Sequence, residues 1–308
     1  MNSVIRIGTR DSELALWQAT TVQEQLEALG HTVTLVPIKS MGDKVLDTPL
    51  YELGVTGIFT KALDLALLNG QIDIAVHSMK DVPTQLPKGL RQGAVLKRAN
   101  FRDLLVHKGS AFLGADRPAT IATGSLRRKA QWLHRYPGHQ VVDLRGNVNS
   151  RMVKLIENPW QGAIFAQAGL ERIKLLPPDA IVLDWMVPAP AQGAIVVVGR
   201  QGDAKVEAAV APLHDPDSGI CTALEREFLR TLEGGCSAPI GALAQIDQGI
   251  LYFEGVLISL DGKQKIEIKK EIALDMAQGL GARCAQEVLE RGGDTLMKQI
   301  RDGDPIVD

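Results

Sequence analysis

The stretch 57-GIFTKALDLALLNGQIDIAVHSMKDVP-83 decides the fold. Up to Gly70 its apolar residues recur at helical spacing, and the glycine stops the pattern. The run 72-IDIAVHS-78 is apolar at nearly every position, as in a strand buried on both faces. Working outward, 4-VIRIGT-9 reads as a strand and Ser12 as the N-cap of a helix running to Gly30. The segment 32-TVTLVPIK-39 reads as the next strand. This β-α-β alternation implies a parallel sheet with helices on its faces.

A second run begins near Phe101, with 104-LLVHK-108, 120-TIATGS-125, a helix from Leu126, 140-QVVDLRG-146, a helix from Asn147 and 162-GAIFAQAG-169. It reads as another α/β unit of similar size, with no close sequence repeat between the two. The run 194-AIVVVGR-200 reads as one more buried strand, and the pattern leaves open which sheet it joins. From about Asp215 the character shifts. A helix at 221–233 leads into a glycine-rich turn. Two alternating segments, 250-ILYFEGVLISL-260 and 264-QKIEIKKEIAL-274, then flank Asp261-Gly262, a hairpin signal, and a last helix covers 277–291. This third part reads as a small α+β unit with an antiparallel sheet.

Composition excludes several classes. The 308 residues are 45% hydrophobic and 23% charged, ordinary for a folded soluble protein. A formal net charge of −2 and 4% aromatic residues argue against a nucleic-acid or membrane binder. The start MNSVIRIGT lacks a signal-peptide pattern, and no run of 18 apolar residues occurs, so a cytoplasmic protein is expected. The odd count of three cysteines fits a reducing compartment.

Three features carry chemistry. Cys221 continues the stripe of Leu224, Phe228 and Leu232, and Cys284 lies between Leu280 and Val288 at steps of four, so both read as core residues. Cys236 sits instead in 232-LEGGCSAPIG-241, among glycines that let a bulky group approach; it is either a reactive thiol or a plain loop cysteine. No clustered His/Cys pattern suggests a metal site. In 77-HSMKDVP-83, Lys80 and Asp81 follow a buried strand, where open α/β sheets bind ligands. There Asp81 can steady a cation or move a proton, and Lys80 can form a Schiff base or grip an anion; both can equally be solvated turn residues. His77 reads as a hydrogen-bonded core histidine. Finally, residues 127–154 carry seven basic side chains against Asp143 alone. Leu126, Ala130 and Leu133 form the expected buried face of the first helix, leaving its arginines outside. Two helix starts near Ser125 and Arg145 add to a reading in which a polyanionic ligand binds.

The motifs IGTRDSELALWQA, DTPL, DIAVHSMKDVP, GSLRR, LRGNVNSR and LEGGCSAPIG occur in the order found in the porphobilinogen deaminase (hydroxymethylbilane synthase) family, which the chain resembles over nearly its whole length. The resemblance implies three α/β domains, the first two like the lobes of periplasmic solute-binding proteins with the active site between them. On it the domains are 1–97 with 194–213, 100–190, and 216–308. It implies a dipyrromethane cofactor joined to Cys236 by a thioether. Four porphobilinogen molecules are then condensed onto this primer with loss of ammonia, and hydrolysis releases hydroxymethylbilane for haem and related tetrapyrroles. Asp81 matches the catalytic aspartate. By the same resemblance Ser78, Lys80, Asp81, Thr123, Ser125, Arg127 and Arg128 hold the cofactor, while Arg10, Ser12, Arg145, Arg151 and Arg172 hold substrate and growing chain. A monomer is expected.

The chain departs from the family pattern in places. Glu52 and Thr56 stand where lysines are common, and Ala62 where a glutamate is. Gly124 replaces a usual Ser or Ala, and 188-PAPAQGA-194 stands for PAVGQGA. Two alternatives are a non-catalytic anion binder with the same two lobes, which needs no Cys236, and a Lys80 Schiff-base enzyme using pyridoxal phosphate, which depends on Lys80.

Overall fold

A computed structural model describes residues 4–39, 60–114, 117–232 and 238–302, so the readings on Glu52, Thr56 and Cys236 lie outside the described residues. The first run forms β1 (Ile5–Thr9), α1 (Glu13–Ala28), β2 (Val33–Pro37), α2 (Lys61–Leu68), β3 (Ile74–Ser78) and β4 (Leu90–Val95). The second forms β5 (Asp103–His107), β6 (Thr120–Ala122), α3 (Leu126–Arg135), β7 (Gln140–Val142), α4 (Val148–Glu157), β8 (Gly162–Ala166), α5 (Gln167–Arg172) and β9 (Ile181–Val182). The chain ends with β10 (Ile195–Arg200), α6 (Ala204–Val210), α7 (Pro216–Thr231), β11 (Ile240–Asp247), β12 (Ile250–Ile258), β13 (Lys265–Ala273), α8 (Leu280–Val288) and α9 (Asp294–Asp302).

The first two sheets share one plan, β2-β1-β3-β10-β4 and β7-β6-β8-β5-β9. In each, the three left-hand strands are parallel, as the helical crossovers require. The fourth strand runs the other way, so the parallel part that the β-α-β alternation implied is three strands of each five, and β10, whose sheet the pattern left open, joins the first. The cause is the connection: β5 and β10 each enter their sheet directly from a crossover between lobes, with no helix to reverse the chain. Register then decides where the crossovers arrive. Ile195 opens β10 opposite Ser78, the last residue of β3, and Asp103 opens β5 opposite Ala166, the last residue of β8. Both crossovers are therefore delivered to the carboxyl ends of the parallel strands, where ligands bind in such sheets.

The third unit is an antiparallel sheet, β11-β12-β13, with α7 and α8 against it. Phe228 packs edge-on against Phe253 in its core, with ring centroids 5.5 Å apart. Cys221 and Cys284 belong to this core, and burial pushes their thiols up to about 12 and about 11, so neither is a thiolate at neutral pH. Helix α7 starts five residues before the expected point, at an Asp215 N-cap that accepts from the Ser218 amide, followed by Pro216 in the first turn. The last helix is two: Gly292, at φ +97, breaks it, and α9 continues beyond.

The third unit is tied to both lobes. Arg226 of α7 donates to the carbonyls of Val82 and Pro83 at 2.8 and 2.6 Å. The Asp261-Gly262 turn reaches α3, where His134 Nδ1 lies 2.7 Å from the Gly262 carbonyl.

Candidate active site

Of the helices that begin where parallel strands end, α1, α3 and α4 are capped by the residue type that local chemistry favours. Ser12 Oγ accepts from the Ala15 amide, Ser125 Oγ from the Arg128 amide, and Asn147 Oδ1 from the Ser150 amide. Strand β3 runs instead into a single tight turn, Met79–Asp81. The turns β6–α3 and β7–α4 close on each other at Gly124, where an added Cβ would lie 2.6 Å from the Leu144 carbonyl oxygen.

These ends surround a cavity of about 320 Å³. The first lobe lines it with Arg10, Ser12, Ser78, Lys80 and Asp81, and the second with Ser125, Arg127, Arg128, Arg151 and Arg172. Leu229, Ala238 and Ile240 of the third unit complete the wall, so the chain on either side of 233–237 meets the cavity. Among the described residues, two expected site residues are not in the lining. Thr123 lies beneath it, its hydroxyl accepting from the Ser125 amide at 3.3 Å, and Arg145 is buried beside the β7–α4 turn. Among the described charged residues in the lining six are cations and one, Asp81, is an acid. Such a cavity is built for a ligand with several negative charges.

The arginines of α3 correct the helical-wheel expectation. Arg127 and Arg128 are each only 5% exposed and share the buried face with Ala130, Gln131 and Trp132, whereas Leu126 and Leu133 are half-buried. What admits them is Asp103, which is fully buried. Its Oδ2 accepts from Arg127 Nη1 at 2.8 Å, and its Oδ1 from Arg128 Nε and Nη2 at 3.0 and 2.7 Å. Burial works against the Asp103 charge, but the two guanidinium groups hold its carboxyl well below the usual range. Each arginine also donates to a backbone carbonyl, Val187 and Ile164 respectively. One carboxylate against two guanidinium groups leaves a net positive charge behind the cavity wall.

Lys80 donates to Gln192 Oε1 at 3.2 Å, and burial, with Arg128 close by, lowers its ammonium to about 8. Arg151 and Arg172 are each lowered to about 10, in both cases chiefly by burial. Arg172 bridges the lobes, donating to the Gly193 carbonyl at 2.7 Å and standing over the Trp17 ring at 5.4 Å. The Nε atoms of Arg127, Arg151 and Arg172 are buried without a hydrogen-bond partner among the described residues. Acceptors from a ligand would satisfy donors of this kind. Asp81 accepts no hydrogen bond among the described residues, and its field favours the charged forms of Lys80 and Arg151. His77 is buried and lowered to about 4 by burial and by Arg10, so it is neutral near pH 7. Its Nε2 has no partner among the described residues, unlike the satisfied core histidine expected.

Sequence reasoning missed Asp103, Gln192 and Glu225. Glu225 is fully buried on α7 and accepts from Arg98 of the first crossover and from the amides of Ala191 in the second and Ala244 in β11. An acid in an otherwise apolar strand, 103-DLLVH-107, and an isolated glutamate amid the apolar stripe of α7 were the available signals.

Residues 5–208 match the family model described as porphobilinogen deaminase, dipyromethane cofactor binding domain, and residues 220–290 match porphobilinogen deaminase, C-terminal domain. The chain is 43% identical over 301 residues to a porphobilinogen deaminase of Syntrophotalea carbinolica, covering 96% of each. It is 40% identical over 309 residues to one of Desulforamulus reducens, covering 99% of this chain and all of the other. Among solved structures, a periplasmic substrate-binding protein of an ABC transporter from Coxiella burnetii aligns with a TM-score of 0.43 at 16% identity, covering 72% of this chain and 94% of that one. The periplasmic VFT2 domain of Bordetella pertussis BvgS aligns with a TM-score of 0.43 at 13% identity, covering 68% and 85%.

Proposed function

Because this chain belongs to the porphobilinogen deaminase family, we propose that its cleft condenses porphobilinogen on a dipyrromethane tethered to Cys236, with Asp81 as the catalytic carboxylate. The observation that carries this reading is the cavity that, among the described residues, six cations and one acid line and that the third unit walls on both sides of residues 233–237. Each pyrrole of such a chain bears an acetate and a propionate. The residues fit that ligand: the Nε atoms of Arg127, Arg151 and Arg172, without a partner among the described residues, are donors suited to its carboxylates.

The tethered group would supply a free pyrrole α-carbon as the nucleophile for head-to-tail addition of four substrate units, each of which would lose ammonia from its aminomethyl group as that carbon loses its proton. Positive charge develops on the pyrrole as ammonia departs. Asp81 is the only acid in the lining among the described residues, so it is the group that stabilises this charge and accepts pyrrole N–H bonds. Lys80, Ser78, Ser125, Arg127 and Arg128 hold the acids of the tethered group, with Thr123 shaping the turn under Ser125. Arg10, Ser12, Arg151 and Arg172 hold the incoming unit and the growing chain. Arg145, buried beside the β7–α4 turn, belongs with them as a residue for substrate and growing chain. Hydrolysis then releases hydroxymethylbilane for tetrapyrrole synthesis.

The domains are 1–97 with 194–213, 100–190, and 216–308. The protein works as a cytoplasmic monomer without nucleic acid; the net charge of −2 supports the last of these. Among the described residues no helix is long and apolar enough to cross a membrane. Replacing Asp81 tests the mechanism. Asp81→Asn is expected to lower kcat for porphobilinogen consumption by on the order of 10²–10³ while the protein stays folded; unchanged turnover would remove Asp81 from its role.

A further inference from the structure

Gln192 is fully buried where the second crossover meets the cavity, and its amide is committed at both ends. Nε2 donates to the Phe101 carbonyl at 2.8 Å and to Asp103 Oδ1 at 2.9 Å. Both partners are acceptors only, which fixes the amide orientation and turns Oε1 toward Lys80 Nζ at 3.2 Å. The backbone that presents this side chain is also fixed. Ala191 is left-handed at φ +62, its amide held by Glu225 Oε2 at 2.6 Å, and the Gln192 carbonyl accepts from Arg98 Nε at 2.8 Å. A chain held in an unfavourable conformation to aim one buried amide suggests a role beyond packing.

We propose that Gln192 is a positioning residue for Lys80: it orients the ammonium beside the paired arginines so that Lys80 presents its charge to a carboxylate of the tethered pyrrole chain. This rests on the proposed function of the cleft. The groups facing Lys80 are Asp81 on its own turn, Asp103 at the start of β5, and Arg127 and Arg128 on α3. The two arginines repel the ammonium and the two carboxylates attract it. Gln192 is the neutral acceptor among them, so it favours the charged form. A purely structural brace between crossovers would need the Nε2 bonds alone. A positioning residue needs the Oε1 bond as well.

The test reads the titration of Lys80 directly. The full chain carrying Cys236→Ser, which leaves Lys80 uncovered by any tethered group, is trace-labelled with acetic anhydride from pH 6 to 10, and the Lys80 peptide is quantified by mass spectrometry. The labelling midpoint should lie near 8 with Gln192 intact. In Gln192→Met, which keeps the length of the side chain and removes the acceptor, it should fall by about half a unit or more while the midpoints of the other lysines in the same digest stay in place. Loss of packing alone would not single out Lys80. An unchanged Lys80 midpoint in Gln192→Met would overturn the proposal; should that variant not fold, Gln192→Asn, whose amide falls a methylene short of Lys80, is read for the same fall. A Lys80→Met chain with Cys236 intact separates the two layers. If it still acquires its adduct in full while the midpoints shift as expected, the coupling stands and the assignment of Lys80 to the tethered group fails.

Discussion

Asp103 and Arg128 meet through two hydrogen bonds on one carboxylate oxygen, at 2.7 and 3.0 Å, with both side chains buried. Arg127 takes the other oxygen, so one fully buried acid neutralises part of two buried cations. Attraction inside the protein offsets the desolvation of such a group only while every member is present. Asp103→Asn should therefore destabilise the fold by about 3–5 kcal/mol, because it leaves two buried guanidinium groups without a counter-charge. Urea unfolding measures this; a loss below about 1 kcal/mol would mean that the arginines are not held as described.

Arg151 should behave in the opposite way. Burial, Arg128 and Arg145 all disfavour its charge, and Asp81 only partly compensates. Arg151→Gln is expected to leave thermal stability unchanged or slightly raised while lowering kcat/KM for porphobilinogen by about 10–100-fold, the worth of a charge-assisted contact to a carboxylate. A parallel loss of stability and activity would make Arg151 a structural residue.

His77 predicts a pH dependence. Its folded value is about 4, below the ordinary histidine value of 6.5, so the unfolded chain binds a proton that the folded chain refuses. Its contribution is complete above pH 6.5 and is lost as pH falls from there toward 4. The full loss is about 3 kcal/mol at about 1.36 kcal/mol per unit. His77→Asn should reduce the slope of stability against pH between 6.5 and 4; an unaltered slope would show that other groups set the acid limit.

Ala191 occupies the position where the family pattern PAVGQGA has glycine, and its φ of +62 explains why glycine suits it. A left-handed L-residue costs about 1–2 kcal/mol, and the extra freedom of glycine in the unfolded chain takes back about 0.4–1 kcal/mol. Ala191→Gly should then raise stability by about 0.5–1 kcal/mol, read as a higher urea midpoint. A lower midpoint would imply that the Ala191 methyl contributes more packing than its backbone costs.

The elements were largely legible because their signals are local. Ser12, Ser125 and Asn147 cap the helices that their spacing suggested, and Asp261-Gly262 makes its hairpin. What escaped was set by contacts far apart in sequence. Reading Arg127 and Arg128 as exposed followed from their charge, and only Asp103, 24 and 25 residues away, makes their burial possible. The reversed strands β5 and β10 escaped because a strand's apolar pattern does not carry its direction. Gln192 and Glu225 act across separations of 112 and 34 residues, where no periodicity applies.

That Cys236 anchors the group on which the cleft works is the central claim. Intact-mass measurement of the protein purified from cells that make porphobilinogen, beside a Cys236→Ser variant, tests it most directly. The native chain is expected to be heavier than its sequence by the mass of a dipyrromethane, and the variant to match its sequence. A native chain at its bare sequence mass would contradict the claim.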